Sequence, residues 1–451
     1  MVLDPDEAGR ARAAAETERR TQVRRAAFAS VVGTSIEWYD FFLYGTAAAL
    51  IFPRLFFPEA SEYAGVIQSF ATYAVGFAAR PVGAAIFGHW GDRLGRKATL
   101  IITLLLMGIS STLIGVMPGT AAIGLAAPTI LVALRLIQGL AVGGEWSGAV
   151  LLAVEWGDQK RRGLMGSWPQ VGVPIGLVLG TGGMTLFSAV LSEEAFAAWG
   201  WRIPFLLSLV LVAIGLFIRL RILETPMFAS VVETKGVARQ PVLEVIRRHP
   251  KEILLSAGLR FSENMPYYLF TSFVLTLAVD RGFSQTFALS AVLVAAALEL
   301  VNIPLAGRLS DSYGRKRIYM LGAIAMGLIA FPYYALLGTG IAAVAFIAIV
   351  ISLVPHSFQY GPQASLIAES FPTGLRYGGA GVGYQLTAVF AGGPAPLTAA
   401  FLLHQFGTAY AISGYILFSA IVTLLCTYYL PDRSKADITD DATYRVGGRS
   451  S

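Results

Sequence analysis

Eight ionisable side chains interrupt long apolar runs of this sequence: Glu37, Asp40, Arg80, Arg135, Glu145, Arg260, Glu263 and Glu299. A charge in hydrocarbon is costly, so such groups face a cavity or one another and mark a path for ions or solutes. Five are acidic and three basic, and the excess leaves at least one carboxylate to be protonated in part of a working cycle. The chemistry implied is proton and solute binding. No nucleophile–base constellation and no phosphate-cradling glycine loop accompanies these residues, which argues against an enzyme. The four histidines, His89, His249, His356 and His404, do not cluster. The single cysteine, Cys426, excludes an intrachain disulfide. No metal and no cofactor is expected, only a proton as coupling ion.

Gly33, Glu37, Asp40 and Tyr44 follow at intervals of 4, 3 and 4, and so line one helix face. Arg135, Gln138, Val142 and Glu145 do the same on a later run. At 1.5 Å per residue, Asp40 stands roughly 21 Å above the start of its span and Arg135 roughly 15 Å below the start of its own. Both then lie near mid-depth in a core about 30 Å thick. An Asp40–Arg135 pair is expected as the proton switch, with Glu37 as a second acid. Contact with the guanidinium favours the carboxylate, and its loss in apolar surroundings favours the neutral acid. The alternative is a static ion pair that only fixes helix packing.

Other polar side chains are candidates for substrate contact. Arg260, Glu263, Asn264 and Tyr267 make a polar face that Pro266 interrupts, as in the broken helices that build transporter sites. Gln359 and Gln363 flank Pro362, Tyr384 and Gln385 follow, and Trp168 and Gln170 lie earlier. With Tyr44, Arg80 and Gln138 they suit a small polyhydroxy acid or carboxylate. Arg80 could grip a carboxylate bidentately, or snorkel toward the interface. Interhelical hydrogen bonding is the competing explanation for many of these groups.

The elements that position them follow from composition. Of 451 residues, 55% are hydrophobic and 14% charged, against about a quarter charged in an ordinary soluble protein. Mean hydropathy is +0.63. Spans of about 20 apolar residues fall at 26–50, 63–87, 98–117, 125–152, 164–190 and 203–220, then at 252–278, 285–306, 318–338, 341–366, 377–402 and 408–430. An all-α membrane protein with twelve transmembrane helices is expected. Its parts would be an N-terminal tail (1–25), a six-helix bundle (26–220), a linker (221–251), a second bundle (252–430) and a C-terminal tail (431–451). The first 25 residues lack an apolar core and do not form a cleaved signal peptide.

Twenty-eight of the 34 Lys and Arg fall on one side of this topology, with Arg219 counted in the linker, and only Arg54, Arg202 and Arg281 on the other. The basic side is cytoplasmic by the positive-inside rule, with both termini on it. Basic residues in short loops also argue against nucleic acid as a partner. The expected partners are the bilayer and a small solute, with the chain as a monomer.

The loops repeat. Gly88, Asp92, Gly95, Arg96 and Lys97 recur as Gly307, Asp311, Gly314, Arg315 and Lys316, every position offset by 219, with Arg93 only in the first copy. Glu155 and Arg162 recur as Glu369 and Arg376, seven apart each time. Two such halves with the same loops on one side are parallel repeats about an axis normal to the membrane. The duplicated G-x-x-x-D-R-x-G-R-K loop resembles that of the major facilitator superfamily. The first span, from Gly33 through Glu37, Trp38, Tyr39 and Asp40 to Gly45, resembles the metabolite:proton symporters within it. So do Ala79 to Gly83, Arg135 to Gly139 and Glu369 to Tyr377.

The resemblance implies two bundles related by a pseudo-two-fold axis, and proton-coupled uptake of a small organic acid of shikimate or mono- or dicarboxylate type. A proline/betaine-type zwitterion importer is the alternative, disfavoured by a short tail without heptads. A non-transporting membrane receptor is a different class. The superfamily's proton-coupled sugar porters are similar in carrying an acid on helix 1 and an arginine on helix 4. The repeated loops, with Glu155, Arg162, Glu369 and Arg376, are expected to gate the cytoplasmic side, Asp92 capping the helix that begins near Gly378 and Asp311 the one near Gly163. Val173 before Pro174, where drug antiporters carry Gly-Pro, counts against drug export.

Overall fold

The computed structural model describes residues 5–156, 159–221, 241–438 and 441–444. Backbone in hydrocarbon must satisfy its own hydrogen bonds, and the apolar runs become helices. The first six are α1 (Pro5–Leu50), α2 (Glu62–Leu94), α3 (Arg96–Val116), α4 (Ala126–Trp156), α5 (Arg162–Val190) and α6 (Arg202–Leu220). Next comes α7, in four consecutive pieces: Pro250–Leu259, Phe261–Tyr268, a π turn at Leu269–Phe273, and Val274–Asp280. The rest are α8 (Gln285–Tyr313), α9 (Arg315–Leu337), α10 (Ala342–Ala368), α11 (Arg376–Thr387, a π turn at Ala388–Gly392, then Ala395–Phe406) and α12 (Tyr410–Tyr429). Ten helical stretches are long and apolar enough to span a membrane among the described residues. The acid-bearing α1 and the segmented α7 complete twelve.

Within the first half α1 packs on α5, α2 on α4, and α3 on α4 and α6. The halves meet where α5 lies against α8 and α10, and where α2 and α4 lie against α11. A methyl group at Gly172, Gly176 or Gly180 of α5 would stand 2.7, 2.5 and 2.6 Å from Thr34, Trp38 and Tyr39. Only glycine lets α1 come so close, and that contact sets the rotation that turns Glu37 and Asp40 inward.

Two segments outside the bundles carry helix. Within 1–25, expected as a tail, α1 already runs from Pro5. The stretch is rich in Ala, Glu and Arg, all strong helix formers, and Gln22 donates one turn back to Glu18 at 2.8 Å. Of the linker, residues 222–240, with Glu224, Glu233, Lys235 and Arg239, lie outside the described residues. Its last part is the helix Pro241–Arg248.

Candidate functional site

Asp40 is 1% exposed, and its Oδ1 accepts a 2.5 Å hydrogen bond from the Ser208 hydroxyl on α6. Arg135 on α4 is as deeply buried, but donates Nη1 to Gln138 Oε1 at 3.1 Å. Gln138 Nε2 in turn donates to Ser111 Oγ on α3 at 2.7 Å. No Asp40–Arg135 ion pair forms among the described residues. Three rings hold the guanidinium elsewhere: Tyr44 at 4.3 Å, Tyr73 at 4.8 Å and Phe41 at 5.0 Å. Cation–π attraction in a dry site is worth about 2 kcal/mol, and Ser208 already serves the carboxylate.

Arg80 on α2 is caged in the same way, 4.4 Å from the Phe41 ring, 4.6 Å from Phe77 and 5.6 Å from Trp38. In both arginines Nε and Nη2 donate to no acceptor among the described residues. Those two atoms form one edge of a guanidinium, the edge that meets a carboxylate with two parallel hydrogen bonds. Glu37 is buried on α1 near Arg80, its Oε2 likewise without a donor among the described residues. The Tyr44 hydroxyl and Thr72 Oγ1 share a 2.6 Å hydrogen bond in which either oxygen can donate.

Glu145 is not free. It accepts from Thr103 Oγ1 at 2.8 Å and pairs with Arg219 of α6, which also donates to the Leu100 carbonyl. Arg219 lies across Gly33, where a side chain would collide with it. Counted from the sequence as a linker cation, it is buried, because α6 continues to Leu220 and carries the guanidinium back inside.

In the second half, Arg260 pairs with Glu263 at 3.1 Å and donates to the Tyr384 carbonyl. Its guanidinium lies 3.3 Å from the Tyr384 ring centre, and that ring stacks on Trp146 of α4 at 3.6 Å. Gln363 Nε2 donates to Glu263 Oε2 at 2.9 Å and contacts the Tyr319 hydroxyl at 3.1 Å. Tyr267 packs its ring on His356 at 4.6 Å, and His356 reaches Glu299 at 2.5 Å. Gln170 accepts from Trp146 Nε1 at 3.0 Å and donates to the Tyr360 carbonyl at 3.4 Å, while Gln385 donates to the Val142 carbonyl at 3.3 Å. Both amides thus tie one half to the other. Gln359 instead accepts from Ser262 at 2.5 Å and packs against Gly322, so it joins α10 to α7 and α9. Asn264 Oδ1 has no donor among the described residues and faces Gly392. Trp168 is half-buried against the central apolar cluster.

The repeated loops close one face of the molecule. Asp92 accepts from the backbone N–H of Tyr377 and Gly378 at 3.2 and 2.9 Å, at the start of α11. Asp311 accepts from Gly163 and Leu164 at 2.8 and 3.0 Å, at the start of α5. A Cβ on Gly88 would meet Gly378 at 2.8 Å, and one on Gly307 would meet Gly163 at 2.7 Å. Gly95 and Gly314 carry φ of 106° and 99°, a backbone that turns α2 into α3 and α8 into α9 and favours glycine. Arg96 lies 3.5 Å from Glu155, and Arg376 3.6 Å from the same carboxylate. Arg315 and Arg162 lie 3.3 and 3.2 Å from Glu369. Lys97 donates to the Leu220 carbonyl at 3.0 Å and Lys316 to Tyr428 at 2.7 Å, each at the C-terminal end of the last helix of its half. Arg93 stands outside this network, exposed beside His89. The C-terminal segment lies over the same face. Arg162 donates to the Ser434 and Ala436 carbonyls, both at 3.1 Å, and Arg376 to Ile438 at 2.8 Å.

Residues 31–394 match the family model of the Major Facilitator Superfamily. The chain belongs to that superfamily. It is 40% identical over 421 residues to the Shikimate transporter of Escherichia coli (strain K12), covering 92% of this chain and 96% of that protein. With the Inner membrane metabolite transport protein YhjE of the same strain it shares 39% over 403 residues, 88% of this chain and 91% of that one. With the Proline/betaine transporter of Escherichia coli (strain K12) it shares 31% over 414 residues, 90% and 82%. The structure of the proton:xylose symporter XylE bound to 6-bromo-6-deoxy-D-glucose superposes with a TM-score of 0.76 at 17% identity, covering 95% of this chain and 100% of that one. As a member of the Major Facilitator Superfamily the chain is a multi-pass membrane transporter of small solutes, with the fold of a transporter and not of an enzyme.

Proposed function

We propose that this transporter imports a small organic acid together with protons, by alternating access between bundles at 26–220 and 252–430. The reading is carried by the open Nε/Nη2 edges of Arg80 and Arg135. Two buried guanidinium groups with unserved donors and aromatic rings around them form a cradle for a carboxylate and an apolar or hydroxylated ring. The relative named Shikimate transporter supports that substrate class, since shikimate is a cyclic polyhydroxy carboxylate.

Asp40 and Glu37 are the proton-coupling acids in this reading. A substrate carboxylate that takes Arg135 into a new ion pair changes the field at Asp40, beside which Ser111 ends the chain Arg135–Gln138–Ser111. The face bearing the 88–97 and 307–316 loops is cytoplasmic, and its closed latch makes the described state one shut toward the cell interior.

Proteoliposomes under an imposed inward proton gradient test this with labelled shikimate, α-ketoglutarate, proline and betaine. Gradient-driven accumulation of at least one carboxylic acid is expected. Accumulation of betaine and no acid would replace the reading with the zwitterion alternative.

A further inference from the structure

The buried charges do not balance equally in the two halves. Among the described residues away from the latch face, the first half buries Glu37, Asp40 and Glu145 against Arg80, Arg135 and Arg219, three of each sign, and the second half buries Glu263 and Glu299 against Arg260. By this count the unmatched acid is not on α1. It is the carboxylate that His356 touches.

Glu299 is 14 residues from either end of the 29-residue α8, so it lies at the middle of its helix. His356 Nδ1 is 2.5 Å from Glu299 Oε1, and His356 Nε2 is 3.8 Å from Glu263 Oε1. Ser357 adds a 3.5 Å contact to the same Glu299 oxygen. A neutral His356 already meets the Glu299 carboxylate with its own Nδ1–H, and one further proton makes either the imidazolium or the carboxylic acid. With that further proton Glu263, Glu299, Arg260 and His356 sum to zero, and without it a net negative charge sits in mid-membrane. The titratable groups facing His356 are Glu263, Arg260 and Tyr267 from α7, Glu299 from α8, Tyr319 from α9 through Gln363, Tyr360 from α10 and Tyr384 from α11. None of the tyrosines supplies a compensating charge.

We propose that Glu299 and His356, with Glu263, form a second proton-loading site, in the C-terminal half. It rests on the symport reading and adds a proton to it. One proton enters the Glu299–His356 contact while the pair is open to one side, and the same proton leaves to the other side, with no bond made or broken elsewhere. The link to alternation is structural: Glu263 holds Arg260, Arg260 lies over Tyr384, and Tyr384 stacks on Trp146 of the other half. Separation of the halves breaks the last contact and frees Arg260 to rebalance the acids.

The test uses the full-length transporter, reconstituted as wild type, His356→Gln and Glu299→Gln. Substrate exchange at equal pH requires no net proton movement, whereas gradient-driven accumulation does. Both variants should keep exchange within about threefold, lose accumulation about tenfold or more, and carry fewer protons per substrate by internal pH dye. Unchanged accumulation and stoichiometry would overturn the proposal. So would loss of exchange in both variants while they remain monodisperse, because that marks a structural role. Failure of the wild type to exchange any acid would count against the substrate reading alone. The proton site is then read without substrate, by infrared difference spectra of the purified protein between about pH 5 and 9. An imidazolium or carboxylic-acid band present in wild type and absent from both variants is expected; its absence from wild type overturns the site.

Discussion

The indole of Trp146 and the ring of Tyr384 stack across the two halves, their centres 3.6 Å apart and their planes within 17°. Stacked aromatic pairs contribute about 0.5–1.5 kcal/mol beyond the area they bury. Trp146 is further fixed by its hydrogen bond to Gln170, so the stack is a preset contact between the halves. Trp146→Ala should shift the population toward separated halves by roughly two- to tenfold. Pairs of spin labels on α4 and α11 read that shift directly; an unchanged distance distribution would deny the stack its role.

The two loop aspartates should weigh equally. Each accepts two backbone N–H groups at a helix start in the other half. A partly buried carboxylate in that position contributes up to about 2 kcal/mol. Asp92→Asn and Asp311→Asn should each raise the open population of this face several-fold, and the double variant more. Labelling of cysteines placed behind the latch measures it.

Arg80→Lys and Arg135→Lys separate charge from geometry. Lysine keeps the charge but not the planar edge, and hydrogen bonds to charged groups contribute about 1.5–3 kcal/mol. Substrate affinity should fall roughly tenfold or more in either variant. Calorimetric titration in detergent would show it, and wild-type affinity in both would dismiss the cradle.

Closure of this face should depend on pH through Glu369, which lies between α10 and α11. Burial holds its carboxyl above the ordinary range, although Arg315 and Arg162 pull the other way. Opening returns it to water, so the closed face binds a proton more tightly than the open one. The added stability of closure is complete below the ordinary carboxylate value and is lost as pH rises through the raised one. Acid on this side should therefore slow opening, and Glu369→Gln should flatten that dependence in stopped-flow fluorescence.

The twelve helices and the repeated loops were legible because both rest on local signals, apolar length and glycine-bounded motifs. The partners of the buried charges were not. Arg219 ends an apolar run next to Arg221 and reads as a loop cation, and only the fold lays it across Gly33 to meet Glu145. His356 reads as a lone histidine, although Glu299, an acid with no basic residue on its own helix face, was a signal that a partner had to come from elsewhere. The spacing places Asp40 and Arg135 at one depth. Depth says nothing about azimuth, and the rings of Tyr44, Tyr73 and Phe41 decide where the guanidinium turns.

The central claim is proton-coupled uptake of an organic acid with Asp40 as a coupling acid. Its most direct measurement is shikimate accumulation in proteoliposomes with and without an inward proton gradient, in wild type and Asp40→Asn. The account predicts gradient-dependent accumulation in wild type, and accumulation lowered about tenfold or more in the variant. Accumulation by Asp40→Asn with unchanged pH dependence would contradict it.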